Sequence, residues 1–168
     1  MKNTKKLLTW ILAVVLVCLA LGLVACVEKP TPQQLTELTA PNLREGQVAV
    51  IIKNGDKDFT SYVVTLTEQM STVEHVLQYL KDNGMPLDWT HSDYGKMLNG
   101  IGQLVPDASK NEFVAFFTSV ASDKGNWAGV PTYELAGSSP IQIVSAQVGV
   151  SSASLQSGAI FYFEISTY

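Results

Sequence analysis

Only two imidazoles occur in the chain, His75 and His91, so any metal centre or histidine-assisted nucleophile must use one of them. His91 stands between Asp88 and Asp93, and one imidazole with two carboxylates is a donor set that can ligate a cation. Zinc normally takes four ligands, and neighbours within one loop seldom converge unaided, so a polar turn explains the same letters. His75 lies off the apolar stripe of its segment and reads as a solvated helix residue. A serine hydrolase of the nucleophile-elbow kind would need G-x-S-x-G, which is absent. Gly137-Ser138-Ser139-Pro140 and Ser151-Ser152 read instead as loop serines. Gly100-Ile101-Gly102 is half of a dinucleotide fingerprint without the helix that must follow it, and there is no phosphate loop. Asp56 and Asp58 fall in a predicted hairpin turn, where acids are ordinary. The expectation is a protein that is not an enzyme.

Aromatic residues are the stronger signal. Trp89, Tyr94, Trp127 and Tyr133 are all predicted to lie in loops, where they can form an apolar wall for a flat ligand or a protein partner. The plainer alternative is that Tyr94 and one tryptophan plug the end of a small sheet.

These candidates need a scaffold, and the chain's first segment is not part of it. Lys2, Lys5 and Lys6 precede an uncharged apolar run from Leu7 to Ala25, which is the layout of an export signal. The run ends in Leu23-Val24-Ala25-Cys26, which resembles the bacterial lipobox, where a cysteine is acylated and becomes the new N-terminus. An uncleaved membrane helix is the competing reading, because the apolar run just reaches spanning length. Cys18 belongs to the signal, and acylation of Cys26 would leave no thiol for a disulfide. Segments 1–25, 26–45 and 46–168 are therefore expected to be signal peptide, lipidated tether and globular domain. The tether assignment rests on Pro30, Pro32 and Pro41 among Gln, Thr and Glu, a composition that buries little apolar surface. Loss of the three leading lysines from the 11 Lys+Arg against 15 Asp+Glu leaves a strongly acidic chain, which excludes nucleic acid as a partner. The membrane is the expected partner, through the lipid on Cys26, at the outer face of a bacterial cytoplasmic membrane.

From Gln47 the pattern becomes regular. Val48, Val50 and Ile52 alternate with Ala49 and Ile51, Asn54-Gly55-Asp56 breaks the run, and Phe59 to Thr67 follows as a second strand of a hairpin. Ser71-Thr72-Val73-Glu74 has the spacing of a capping box and predicts a helix start. Val73, Val76, Leu77 and Leu80 then share one face, and Asn83-Gly84 with Pro86 supplies the stop. Residues 84–102 and 125–137 are expected to be loops. Glu112 to Val120, Ile141 to Ala146 and Ala159 to Ile165 are expected to be strands, the last with both faces covered. Hairpin, helix and further strands predict an α+β fold, a β-grasp-like mixed sheet packed on one main helix.

In its ordered features, the stretch from about Gln47 to Ile165 resembles the transcobalamin-like C-terminal domain family of bacterial surface proteins. The features are the Ser71-Thr72-Val73 helix opening, Tyr94-Gly95 before Ile101-Gly102, the aromatic strand Phe113 to Phe117, Gly129-Val130, and Leu155-x-x-Gly158 before the last strand. The resemblance implies a non-catalytic binding domain with a corrinoid, a cobalamin-like ligand, as the first ligand class. Trp89, His91, Tyr94, Trp127 and Tyr133 would then be its contacts, with His91 offering an axial nitrogen. A surface adhesion or assembly module that docks another protein is the alternative.

Overall fold

A computed structural model describes residues 33–35, 39–137 and 139–168, so the segment expected to be an export signal, Cys26 and Ser138 lie outside the described residues. Among the described residues no helix is long and apolar enough to cross a membrane. The fold is α+β, with a seven-stranded mixed sheet, a separate two-stranded sheet and one α-helix.

β1 (Gln33–Leu35) lies at one edge of the large sheet. β2 (Gln47–Lys53) and β3 (Phe59–Thr65) form the predicted hairpin. After the helix α1 (Val73–Asp82) come β4 (Leu87–Ser92) and β5 (Gly95–Ile101), then β6 (Glu112–Thr118). β7 (Thr132–Leu135), β8 (Ile141–Ser145) and β9 (Ile160–Thr167) complete the chain. The large sheet runs β1-β3-β2-β9-β6-β8-β7, with β2 and β9 parallel at its middle and its other pairings antiparallel. The first strand of the hairpin, β2, paired in parallel with the last strand, β9, beside a packed helix is the β-grasp arrangement that the element order predicts.

Both faces of β2 and β9 are buried, which is why their sequences are nearly unbroken apolar runs. Val48, Val50, Ile52, Phe161 and Phe163 form one core with Val73, Val76, Leu77 and Leu80 of α1. Burial of those four helix side chains contributes on the order of 6 to 12 kcal/mol before ordering entropy is counted. Ala49, Ile51, Ile160 and Tyr162 face the other way, into a second core with Phe117, Leu135 and Ile143. Ala40 and Leu43 pack on that second core, and the Ala40 N–H donates to the Ala136 carbonyl at 2.8 Å. Part of the segment read as tether from its composition is thus held against the sheet.

The start of α1 differs from the predicted capping box. Thr72 is the N-cap and its side chain makes no capping bond. The Val73 and Glu74 N–H groups donate to the carbonyls of Ala153 and Val150 at 3.2 and 2.9 Å. Distant loop carbonyls thus satisfy the orphan donors that a local side chain would otherwise take, and Glu74 is left for another partner. The helix end follows the sequence: Asn83 is the C-cap, its side chain donates to the Tyr79 carbonyl, and Gly84 follows at positive φ.

Two predicted loops are strands. Residues 87–101 form the β4–β5 hairpin with a bulge between Asp88 and Trp89, and residues 132–135 form β7. In both, alternate side chains pack inward, and this tertiary burial outweighs their poor strand composition. Trp89 and Tyr133 are therefore strand residues.

Candidate functional site

The β4–β5 hairpin carries three of the five candidate contact residues. Its register sets Trp89 opposite Leu98, Thr90 opposite Met97, and His91 opposite Lys96. Directly opposed residues share a face, so Trp89, Leu98, His91 and Lys96 form one side of the hairpin. Trp89 and Leu98 pack partly on the α1 core. Met97 is exposed on the other side, and Tyr94 in the turn is 95% exposed.

That turn is held firmly. Ser92 Oγ donates to the Gly95 carbonyl at 2.8 Å and accepts from the Tyr94 N–H at 3.3 Å. Gly95 has φ +100°, and a Cβ there would come within 2.7 Å of Ser151, so glycine is required on both counts. Ser151 Oγ accepts from the Lys96 N–H at 2.9 Å and donates to Glu74 Oε2 at 2.5 Å. One hydroxyl therefore ties the hairpin to the first turn of α1, and this is where the Glu74 carboxylate goes.

Trp89 is not a bare stacking wall. Lys81 Nζ from the last turn of α1 lies 5.4 Å from its ring centroid, and Lys96 Nζ from β5 lies 4.9 Å away. Ammonium groups are drawn to the negative face of an indole, so a flat ligand would have to displace them. Tyr94 offers the open ring surface.

Trp127 lies apart from this cluster. It is half-exposed in the loop before β7, with its ring packed on Gly125, and among the described residues no ring contact joins it to Trp89 or Tyr94. Tyr133 lies against the second core. Its ring packs on Phe117 and Tyr162, and its hydroxyl donates to Glu164 Oε1 at 2.7 Å. Tyr162 Oη donates to Glu164 Oε2 at 2.9 Å, and Lys53 Nζ is 3.5 Å from the same oxygen. β6 and β8 lie between β9 and β7 in the sheet, so this cluster ties together strands that share no ladder. Burial, the bond to Glu164 and that residue's charge push the Tyr133 phenol up to about 12. Burial first, and then the charge of Glu164, also raise Tyr162. Tyr133 is a packing and hydrogen-bonding residue of the second core, removed from the hairpin contacts.

His91 is exposed on β4, so the predicted loop cluster with Asp88 and Asp93 is spread along a strand and a turn. Among the described residues no group of three or more His, Cys, Asp or Glu is arranged to hold a metal ion. His75 is exposed, and its Nδ1 lies 2.9 Å from Thr72 Oγ1. Sequence reasoning did not single out Lys81 or Lys96 and read Ser151 as a loop residue. Their roles come from contacts between distant segments.

No protein-family model matches the chain, and no curated protein sequence matches it. A structural comparison finds a crystal structure from Ruminococcus gnavus ATCC 29149, described as that of a candidate metal-binding protein. It is 14% identical with a TM-score of 0.48, over 74% of this chain and 99% of that one.

Proposed function

We propose that the protein is a non-catalytic, lipid-anchored binding module on the outer face of a bacterial cytoplasmic membrane, with the β4–β5 hairpin as its contact surface. The observation that carries this reading is Tyr94, 95% exposed at the tip of a turn fixed by Ser92, Gly95 and Ser151. A large aromatic group displayed on a rigid turn suits recognition, because little side-chain or loop entropy is lost on binding. The resemblance to the transcobalamin-like domain makes a corrinoid the first ligand class, with the Tyr94 ring against its flat face and the exposed His91 imidazole available to its metal. Titration of the full chain in neutral detergent with cobalamin, following corrinoid absorbance and tryptophan fluorescence together, tests this. Saturable, matching changes are expected, and a flat titration would refute corrinoid binding.

A protein partner is the second reading. Met97, 58% exposed on β5, and Val105, 76% exposed after β5 and beside Gly100, are further exposed apolar side chains of this region. Exposed apolar side chains on a projecting hairpin fit a protein docking surface better than an enclosed ligand pocket. Recovery of one stoichiometric partner with wild-type protein, lost with Met97→Asp, would support it. The anchor has its own test: Cys26→Ser should release the protein or leave the precursor uncleaved, and membrane attachment of a processed mutant would count against lipidation.

A further inference from the structure

We infer that Asn54 is a site of spontaneous modification, cyclising through the Gly55 nitrogen to a succinimide that water opens to aspartate and isoaspartate. The inference stands apart from the contact surface on the β4–β5 hairpin and does not rest on it. Asn-Gly occurs at Asn54-Gly55, Asn83-Gly84 and Asn99-Gly100, and glycine, with no Cβ, hinders ring closure at its own nitrogen least. The fold treats the three pairs differently. Asn83 is the C-cap of α1, its Nδ2 donates to the Tyr79 carbonyl at 2.8 Å, and the Gly84 N–H donates to the Lys81 carbonyl at 3.0 Å. The attacking nitrogen and the leaving nitrogen are thus both engaged by the last turn of the helix. Asn99 and Gly100 lie within β5, where Gly100 is buried and paired with Asp88. The rotation that brings Asn99 Cγ onto the next nitrogen would break that pairing.

Asn54-Gly55 opens the turn between β2 and β3, outside both strands, and Gly55 is exposed. Among the described residues the Gly55 N–H donates to no group. No atom stands within 4 Å of where a Gly55 Cβ would lie, so nothing packs over the residue that supplies the attacking nitrogen. Asn54 donates from its own N–H to the Asp58 carbonyl at 2.8 Å and from Nδ2 to Thr60 Oγ1 at 2.7 Å. The Thr60 bond is one neutral hydrogen bond, a weaker restraint than the two that hold Asn83-Gly84. In the reaction the Gly55 N–H gives its proton to hydroxide, and the nitrogen forms a bond to Asn54 Cγ. The Cγ–Nδ2 bond breaks, and the amide nitrogen leaves as ammonia with a proton taken from water. Water then adds to one of the two ring carbonyls. Cleavage of the Gly55 nitrogen from Cγ gives aspartate, and cleavage from the main-chain carbon gives isoaspartate. Water is the only co-reactant, and nothing is oxidised or reduced. Either product adds a carboxylate to a turn that already carries Asp56 and Asp58, and isoaspartate also lengthens the main chain by one carbon.

The test incubates the full chain in neutral detergent at neutral and mildly alkaline pH and follows each Asn-Gly peptide by mass spectrometry, with isoaspartate distinguished by electron-transfer fragmentation. Conversion at Asn54 is expected to be about tenfold or more faster than at Asn83 or Asn99, equivalent to a barrier lower by about 1.4 kcal/mol. It should give both products and accelerate with pH. In the chain unfolded by guanidinium chloride the three rates should draw together, since the protection at Asn83 and Asn99 comes from the fold. Gly55→Ala should slow conversion at Asn54 about tenfold or more, because a Cβ beside the attacking nitrogen hinders ring closure. Its Tm should stay that of wild type, because the methyl meets no neighbour and Gly55 is not among the glycines at positive φ. Asn83 or Asn99 converting as fast as Asn54 in the folded chain, or the same difference persisting in the unfolded chain, would overturn the inference. So would aspartate without isoaspartate, or an unchanged rate in Gly55→Ala.

Discussion

Replacing Glu164 with glutamine should destabilise the protein although it lies on β9, apart from the β4–β5 hairpin. The carboxylate is 7% exposed and accepts from two tyrosine hydroxyls, one on each oxygen, with Lys53 3.5 Å away. Glutamine keeps the shape but puts an NH2 group where one hydroxyl donates, and it removes the charge that Lys53 faces. Loss of one charge-assisted bond in a nearly buried setting costs about 1.5 to 3 kcal/mol, with little added by the partly exposed lysine. For a domain of this size that is a fall in Tm of about 5 to 10 °C. Tyr133→Phe should cost less alone, and the two changes together should cost less than their sum, because both remove the same bond. The pH dependence has a definite sign. The folded-state pKa of Tyr133, about 12, lies above the ordinary 10.0, so its contribution is present below pH 10 and is lost as the pH rises towards 12. In Glu164→Gln the charge is gone and only one amide oxygen is left to accept from the two hydroxyls, so phenolate should appear at lower pH. Thermal melts by circular dichroism, with phenolate absorbance followed over the alkaline range, check both points. A Glu164→Gln melt within about 0.5 kcal/mol of wild type, or an unchanged phenolate titration, would refute the account of this cluster.

Gly95→Ala should destabilise the hairpin by more than about 1 kcal/mol, because it combines a φ of +100° with a Cβ 2.7 Å from Ser151; hydrogen exchange at the Lys96 amide should rise first. Leu77→Ala, at a fully buried position on α1, should cost about 2 to 5 kcal/mol in urea melts, whereas His75→Ala on the exposed face should change stability by less than about 0.5 kcal/mol.

The elements that the sequence makes legible are those whose burial pattern is local. Val48, Val50 and Ile52 against Ala49 and Ile51 announce a two-sided strand, and Val73, Val76, Leu77 and Leu80 announce one helix face, because side-chain direction follows directly from backbone period. Tyr133 in β7 carried the same signal in weaker form: Tyr133 and Leu135 turn inward between Thr132 and Glu134, over only four residues. β4 and β5 hid behind Asp, Asn, Ser and Gly, which suit turns. Their pairing depends on Leu87, Trp89 and Leu98 reaching the α1 core. The helix cap was misread for the same reason: Ser71 and Glu74 have the local spacing, but carbonyls of Val150 and Ala153 fill the role, and Ser151 claims Glu74 from 77 positions away. Spacing along the chain carries no trace of such contacts. Of the candidate site, the reading of Trp89, His91, Tyr94, Trp127 and Tyr133 as one set of contacts did not separate the three that share the β4–β5 hairpin from the other two, and the lysines over Trp89 were not legible.

The most direct measurement of the central claim is cobalamin binding to the full chain and to Tyr94→Ala, by equilibrium titration in neutral detergent with thermal melts run alongside. Tyr94 is 95% exposed, so its removal should leave Tm within the small range of surface substitutions. The account predicts saturable binding by the wild type and affinity weakened about tenfold or more in Tyr94→Ala, the loss of about 1.4 kcal/mol of contact at an aromatic anchor. Saturable binding of equal affinity in both proteins would contradict the assignment of the hairpin as the contact surface.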